Sequence, residues 1–291
     1  MANILDAIVN IVKNAGQTLD SAEHSRIRIN AVGDQLEDFV KDAFSDSFNA
    51  DSETRNRNTE RTFSYKGNQN NPPDAILNNG AAIEVKKIET DGNTLALNSS
   101  YPKQKLHTDD PRISQKCKEV DGGNWTEKDI IYAVGVTPKP KGGGKQKITR
   151  LTFVYGDVYC ASREVYERVL NKFRSEVQKI DTPSSAFTKE IGRVNDIDPK
   201  GITHLRIRGM WGIKNPTKVF KELIGASDSD FQLTALIPNE TYNQFVNRHE
   251  FEQFANSVSA LSISDVEVEN PDNLARFIKC KLVKYYRSEN A

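Results

Sequence analysis

The sequence predicts an α/β protein, a central mixed sheet flanked by helices. Two amphipathic segments open the chain, a pair of short apolar runs joined by Asn-Asn-Gly follows, and longer strand-like runs then alternate with another amphipathic segment. Patterns of period 3.6 and period 2 interleaved along one chain point to helices and strands sharing a core. At 291 residues the chain can bury a full core. Its 37% hydrophobic and 27% charged residues exclude the disordered and fibrous classes.

The first helix is read from "MANILDAIVNIVKNAG", where Ile4, Leu5, Ile8, Val9 and Val12 are interrupted by Asp6, Asn10 and Lys13. This stretch lacks the basic flank and continuous apolar run of a signal peptide. No segment approaches the roughly 20 apolar residues that cross a bilayer, so the expectation is a cytoplasmic protein. In "AVGDQLEDFVKDAFSDSF", Leu36, Phe39, Val40, Ala43 and Phe44 fall at i, i+3, i+4, i+7 and i+8, a second amphipathic helix. "SETRNRNTERTFSYKGNQNNPP" is polar and Asn-rich and reads as loop. "DAIL" and "AAIEVKKI" read as strands joined by Asn78-Asn79-Gly80, a tight hairpin turn because Asn and Gly tolerate positive φ.

"DIIYAVGVT" and "ITRLTFVYGDVYCA" are the next strands, with "PKPKGGGKQK" as a hairpin tip between them. A helix follows through Val165, Val169, Phe173 and Val177, with Ser162 as its N-cap. "ITHLRIRGMWGI" reads as one strand carrying Arg206 and Arg208 on one face. One helix from Asn239 to Ser257 and a last strand near "ARFIKCKLVKYY" complete the chain. There is no internal repeat and no linker that forces a domain boundary.

Cys117, Cys160 and Cys280 are widely spaced, with no C-x-x-C and no His at zinc spacing, which predicts reduced thiols rather than disulfides or structural zinc. Forty basic and forty acidic residues cancel, so net charge does not announce a nucleic-acid binder. Their distribution is uneven. Lys139 to Arg150 carries five basic residues and no acid, Lys200 to Lys221 six and none, and Gly225 to Ala275 nine acids against Arg248 alone. Such segregation can build a positive face on a neutral protein, or can be solvated charge on unrelated surfaces.

The chemistry concentrates in "NNPPDAILNNGAAIEVKKIET". Residues i and i+2 of a strand share a face, so Glu84 and Lys86 project together. The hairpin folds Asp74 back toward Glu84. Two carboxylates and an ammonium in one small site suit phosphodiester hydrolysis: Mg²⁺ takes one or two protein carboxylates, and a neighbouring lysine can position or deprotonate water and stabilise developing charge. Asp198-Pro199-Lys200 and Pro271-Asp272 imitate parts of this pattern. Proline at 199 opposes a central strand, and no acid-x-Lys strand follows Asp272. On the residues alone, a metal-dependent nuclease stands against an ordinary solvated hairpin.

"PPDAILNNGAAIEVKK" resembles the PD-(D/E)XK nuclease signature, with Asp74, Glu84 and Lys86 at its three positions. Together with "ALNSSYPKQKL", "EKDIIYAVGV", "KEIGRVNDIDP" and "LRIRGMWGIKNP", it is similar to the NgoPII-type family of type II restriction endonucleases, from about Gly33 to Pro216. The resemblance implies a restriction-endonuclease-like fold with the hairpin in its sheet, and Mg²⁺-dependent cleavage of double-stranded DNA at a short palindrome, GGCC. Asp74 and Glu84 are then the metal ligands. Many PD-(D/E)XK enzymes add an acid from the preceding helix, and Glu37 is the matching residue, standing against an ordinary solvated helix carboxylate.

A G/C-only target asks for arginine or lysine on a rigid element, and arginine reads guanine by two hydrogen bonds. Arg206 and Arg208, with Arg193 next, are the expected readers, or else ordinary phosphate contacts or solvated surface residues. Asn98, Ser99, Ser100, Lys103 and Lys105, just past the catalytic strand, are expected to contact phosphate or bases. The expected organisation is a nuclease core with DNA-reading elements over 1–224 and an acidic region over 225–291 packed on the same domain. A palindrome predicts a homodimer, and a restriction system predicts a host methyltransferase. A structure-selective repair or recombination nuclease and a non-cleaving DNA-binding module of the same fold are the rivals.

Overall fold

The computed structural model describes residues 1–18, 32–68, 71–139, 147–178, 190–194, 205–225 and 228–288. In chain order it begins with helices α1 (Ile4–Thr18), α2 (Val32–Ser45) and α3 (Ser52–Thr62). Strands β1 (Phe63–Asn68), β2 (Asn71–Leu77), β3 (Ala82–Ile88), β4 (Thr94–Asn98) and β5 (Lys105–His107) follow. Helix α4 (Gln115–Lys118) and a 3-10 turn lead to β6 (Glu127–Val136), β7 (Arg150–Tyr155), α5 (Gly156–Tyr159) and α6 (Arg163–Gln178). Then come β8 (Glu190–Val194), β9 (Leu205–Arg208), β10 (Trp211–Lys214), α7 (Pro216–Val219), α8 (Lys221–Ile224) and β11 (Phe231–Pro238). The chain closes with α9 (Asn239–Gln244), α10 (Arg248–Ser257), β12 (Leu261–Asn270) and β13 (Asn273–Arg287).

The main sheet runs β1-β2-β3-β6-β7-β11-β13-β12, with β5 paired to the start of β6. The β3–β6 and β7–β11 ladders are parallel and the others antiparallel. It is therefore a mixed sheet. Its centre is buried on both faces, which is why β6, β7 and β11 read as nearly continuous apolar runs rather than alternating ones. Leu36 of α2 lies over Gly135 of β6, and a methyl group there would come within 2.6 Å of Leu36. Tyr132, of opposite parity on β6, meets Tyr159 of α5 edge-on at 5.4 Å. Opposite parity means opposite faces, so α2 covers one side of the hairpin sheet and α5 the other.

Four expectations change. The stretch read as loop holds α3 and β1. Helix α3 buries none of its residues; Asp51 caps it by accepting Thr54 N–H at 2.8 Å, and Arg55 ties it to Asp42 of α2 at 2.6 Å. Strand β1 shows the buried alternation Phe63, Tyr65. "ITHLRIRGMWGI" is two strands, since β9 pairs with β8 while β10 pairs with β4. The single helix expected from Asn239 to Ser257 breaks at Phe245 into α9 and α10, and "GDVY" after β7 is a helical turn.

The acidic C-terminal third contributes β11 to the middle of the sheet and β13 and β12 to one edge. Asp265, Glu267 and Glu269 stud that edge strand, which discourages edge-to-edge pairing. All three cysteines are free and buried. No helix of the described residues is long and apolar enough to cross a membrane. The "PKPKGGGKQK" tip and the Asp198-Pro199-Lys200 decoy lie largely or wholly outside the described residues.

Candidate active site

Strands β2 and β3 form the expected antiparallel hairpin, and Asn79 takes a positive φ of 52° at its turn. The turn is clamped from a distant segment: Asp121 accepts Asn79 N–H at 3.1 Å and Lys128 Nζ at 2.6 Å, while Lys128 also reaches Gly80 O at 3.4 Å. Register then brings the three expected residues together. Lys86 Nζ donates to Glu84 Oε1 at 2.6 Å, as i and i+2 neighbours can. Asp74 Oδ2 accepts the Val85 backbone N–H at 2.6 Å, replacing a backbone carbonyl as the partner of β3.

The electrostatics are those of two acids forced close. Burial raises the Asp74 carboxyl, the Glu84 charge adds to it, and Lys86 and the Val85 N–H only partly offset them, so the group is pushed up to about 7. Burial works to lower the Lys86 ammonium, but Glu84 and Asp74 outweigh it and the net direction is upward. Glu84 Oε2 is buried without a hydrogen-bond partner. Leaving such an atom unpaired is costly, and a hard cation is the partner that would also relieve the repulsion.

Magnesium needs only one or two protein carboxylates and fills the rest with water and phosphate oxygens. The donor set of Asp74 and Glu84 fits it. Among the described residues no group of three or more His, Cys, Asp or Glu side chains is arranged to hold a metal.

Glu37 of α2 joins through its field. It adds weakly to the raised values of Asp74 and Lys86, while its carboxylate accepts Lys41 Nζ at 2.5 Å one turn along the helix.

A small cavity adjoins Glu84, lined by Pro72, Ser100, Tyr101, Lys103 and Tyr132 among others. Lys103 in its wall is turned away from solvent. That side chain is 4% exposed and bonded to Asp110, itself 6% exposed. Burial would raise Asp110, but Lys103 beside it outweighs burial and holds the carboxyl below its usual range. The Lys103 backbone is pinned as well, its N–H donating to Tyr132 Oη at 2.7 Å and its carbonyl accepting from that hydroxyl at 3.1 Å. Lys103 is a buried cation already paired with Asp110.

Lys105 is half-buried between Asp129 and Asp157, 2.8 Å from the latter, so its charge is already matched. Ser100 Oγ is buried and without a hydrogen-bond partner, facing away from solvent, whereas Asn98 is exposed and Ser99 half-exposed. Trp211 packs edge-on against Tyr101 and Tyr166 as part of an aromatic cluster. Asp272, the second decoy, accepts Ser162 N–H at 2.8 Å in the β12–β13 turn.

The arginines converge where sequence could not place them. The β8–β9 ladder pairs Arg193 with Arg206 and Glu190 with Arg208, so all three sit on one two-stranded ribbon. The Arg208 side chain is exposed; those of Arg193 and Arg206 lie outside the described residues.

A carboxylate pair and an ammonium on a sheet hairpin are the residue types of a phosphodiester-cleaving nuclease. A model of the NgoPII restriction endonuclease family matches residues 2–269, and the chain belongs to that family of type II restriction endonucleases. The type II restriction enzyme NgoPII of Neisseria gonorrhoeae is 45% identical over 285 residues, 98% of this chain and 99% of that one. No solved structure matches the chain.

One expected result follows from the crowded carboxylates. In EDTA, Asp74→Asn should unfold at a higher temperature than wild type by a few degrees, because Asn can still accept the Val85 N–H without the charge. A carboxyl raised in the folded state loses stability as pH climbs from its unfolded value toward about 7. The advantage of Asn should therefore grow from about pH 4 to pH 7, level off above, and vanish in acid. Calorimetry across that range checks it; a lower melting temperature at pH 8 would contradict the geometry.

Proposed function

We propose that this chain is a site-specific endodeoxyribonuclease of the restriction-endonuclease-like fold that hydrolyses double-stranded DNA at GGCC as a Mg²⁺-dependent homodimer. The observation that carries the reading is the hairpin itself: Asp74, Glu84 and Lys86 within hydrogen-bonding and electrostatic reach, with Glu84 Oε2 buried and unpaired. Asp74 and Glu84 hold the cation. When bound, the cation offsets the charge of the scissile phosphate and makes water a stronger nucleophile. Lys86, held as an ammonium on the same face, orients that water and meets charge developing on the phosphate. Glu37 adds to the negative field that draws the cation in.

The β8–β9 ribbon supplies the reading element. A two-stranded ribbon fits the major groove, and arginine contacts both O6 and N7 of guanine there. A palindrome presents two equal half-sites, so a two-fold pair of chains places one ribbon and one hairpin on each strand. A host methyltransferase completes the system: a methyl group on a cytosine of the site adds bulk in that groove and blocks approach without touching the phosphate chemistry.

The test is end-mapping. A plasmid of known sequence digested with Mg²⁺ should give ends at every unmethylated GGCC and none at methylated ones. Ends at branched or mismatched structures would indicate a repair-type nuclease, and binding without cutting a non-cleaving module. Arg206→Ala, Arg208→Ala or Arg193→Ala should cost about 1–3 kcal/mol on the cognate duplex with little change on random DNA. Equal losses on both, measured by competition binding, would move the reading element elsewhere.

A further inference from the structure

The β1–β2 ladder pairs Lys66 with Ala75 and Asn68 with Asn71. Gly67 alone therefore faces three residues, Pro72, Pro73 and Asp74. Neither proline has an N–H, so neither can donate a ladder bond through this stretch. The surplus residues bulge, and bulges re-aim side chains next to functional sites. On its other side β2 pairs with β3 only at Ala75–Ile83 and Ile76–Ala82. Beyond that point the Asp74 carboxylate, not the β2 backbone, takes the Val85 N–H.

Gly67 lets the bulge lie that close. A methyl group at 67 would stand 2.7 Å from both Pro73 O and Asp74 O and 2.8 Å from Asp74 Cα. All three are backbone atoms and cannot swing aside as a side-chain tip can. Gly67 does not occupy a left-handed conformation; the missing space, and not backbone freedom, calls for glycine here.

We infer that Gly67 is a positioning residue of the cutting site: by admitting the Pro72–Asp74 bulge against β1 it sets the distance of Asp74 from Glu84, and with it the affinity for the divalent cation. The inference rests on the reading of Asp74 and Glu84 as cation ligands. Loss of a group that only orients a ligand typically costs about 10- to 100-fold in metal affinity.

Gly67→Ala, Asp74→Ala and wild type are compared in two Mg²⁺ titrations, one of melting temperature without DNA and one of cleavage rate at saturating cognate duplex. Gly67→Ala should retain cooperative unfolding in EDTA and need about 10- to 100-fold more Mg²⁺ for half of each response, with its KM for DNA near wild type. Asp74→Ala should respond in neither. If Asp74→Ala is inert and Gly67→Ala has wild-type Mg²⁺ demand, the inference is overturned and the site stands. If Asp74→Ala still cuts and still responds to Mg²⁺, the site reading falls, and the inference with it. Should Gly67→Ala not unfold cooperatively, Pro72→Ala, which restores an N–H to the bulge and adds nothing at 67, takes its place. A raised Mg²⁺ demand in it supports the inference and an unchanged one overturns it.

Discussion

Replacing Asp74, Glu84 or Lys86 by alanine should lower single-turnover cleavage about 10³-fold or more while leaving circular dichroism and cooperative unfolding intact. On the proposed reading, each change removes a cation ligand or the ammonium that meets phosphate charge. None removes core volume, since Glu84 and Lys86 retain 13% and 22% exposure and contact each other. Ca²⁺, with its looser geometry and larger coordination number, should support binding with little cutting. Glu37→Ala should lose much less, because that carboxylate is already engaged by Lys41 and acts on the hairpin only through its field. Any of the three hairpin variants cutting near the wild-type rate in Mg²⁺ would refute the assignment.

The second large effect falls on stability. Lys103→Ala leaves the buried Asp110 carboxylate with only the Arg112 N–H at 2.8 Å and the Arg112 guanidinium at 3.7 Å, and breaking a buried pair by removing one member costs about 3–5 kcal/mol. Denaturant unfolding should show that loss, and it should shrink when Lys103→Met and Asp110→Leu are combined, which removes both charges and keeps volume. Cleavage per folded molecule and the salt dependence of DNA binding should change little. A variant of normal stability with a shallower salt slope would return Lys103 to the DNA surface.

What the sequence carried well was local. Helical spacing located α1 and α2, and the Asn-Asn-Gly turn located the β2–β3 hairpin, because both are set by residues within a few positions of each other. The i and i+2 rule alone placed Lys86 beside Glu84.

What it hid depends on distant partners. Helix α3 has no buried face to give a periodic signal, and it holds by its Asp51 cap and the Arg55–Asp42 bond. The alternation Phe63, Tyr65 did mark β1 within that polar stretch, but it is only two residues long. Lys103 looked like a surface base because its neighbours are polar. Its partner Asp110 and the Tyr132 hydroxyl come together only in the fold. The Asp121–Lys128 clamp on the hairpin turn lies some forty residues downstream of it. Arg193 and Arg206 lie in separate stretches of the sequence, and only the β8–β9 ladder sets them side by side.

We propose that Asp74 and Glu84 jointly hold the divalent cation used for cutting. Anomalous diffraction from crystals equilibrated with Mn²⁺ in place of Mg²⁺ tests it directly. The predicted result is a peak within about 2.0–2.3 Å of one oxygen from each carboxylate, lost in Asp74→Asn. A peak that touches neither residue, or a Mn²⁺-competent enzyme with no peak between them, would contradict the account.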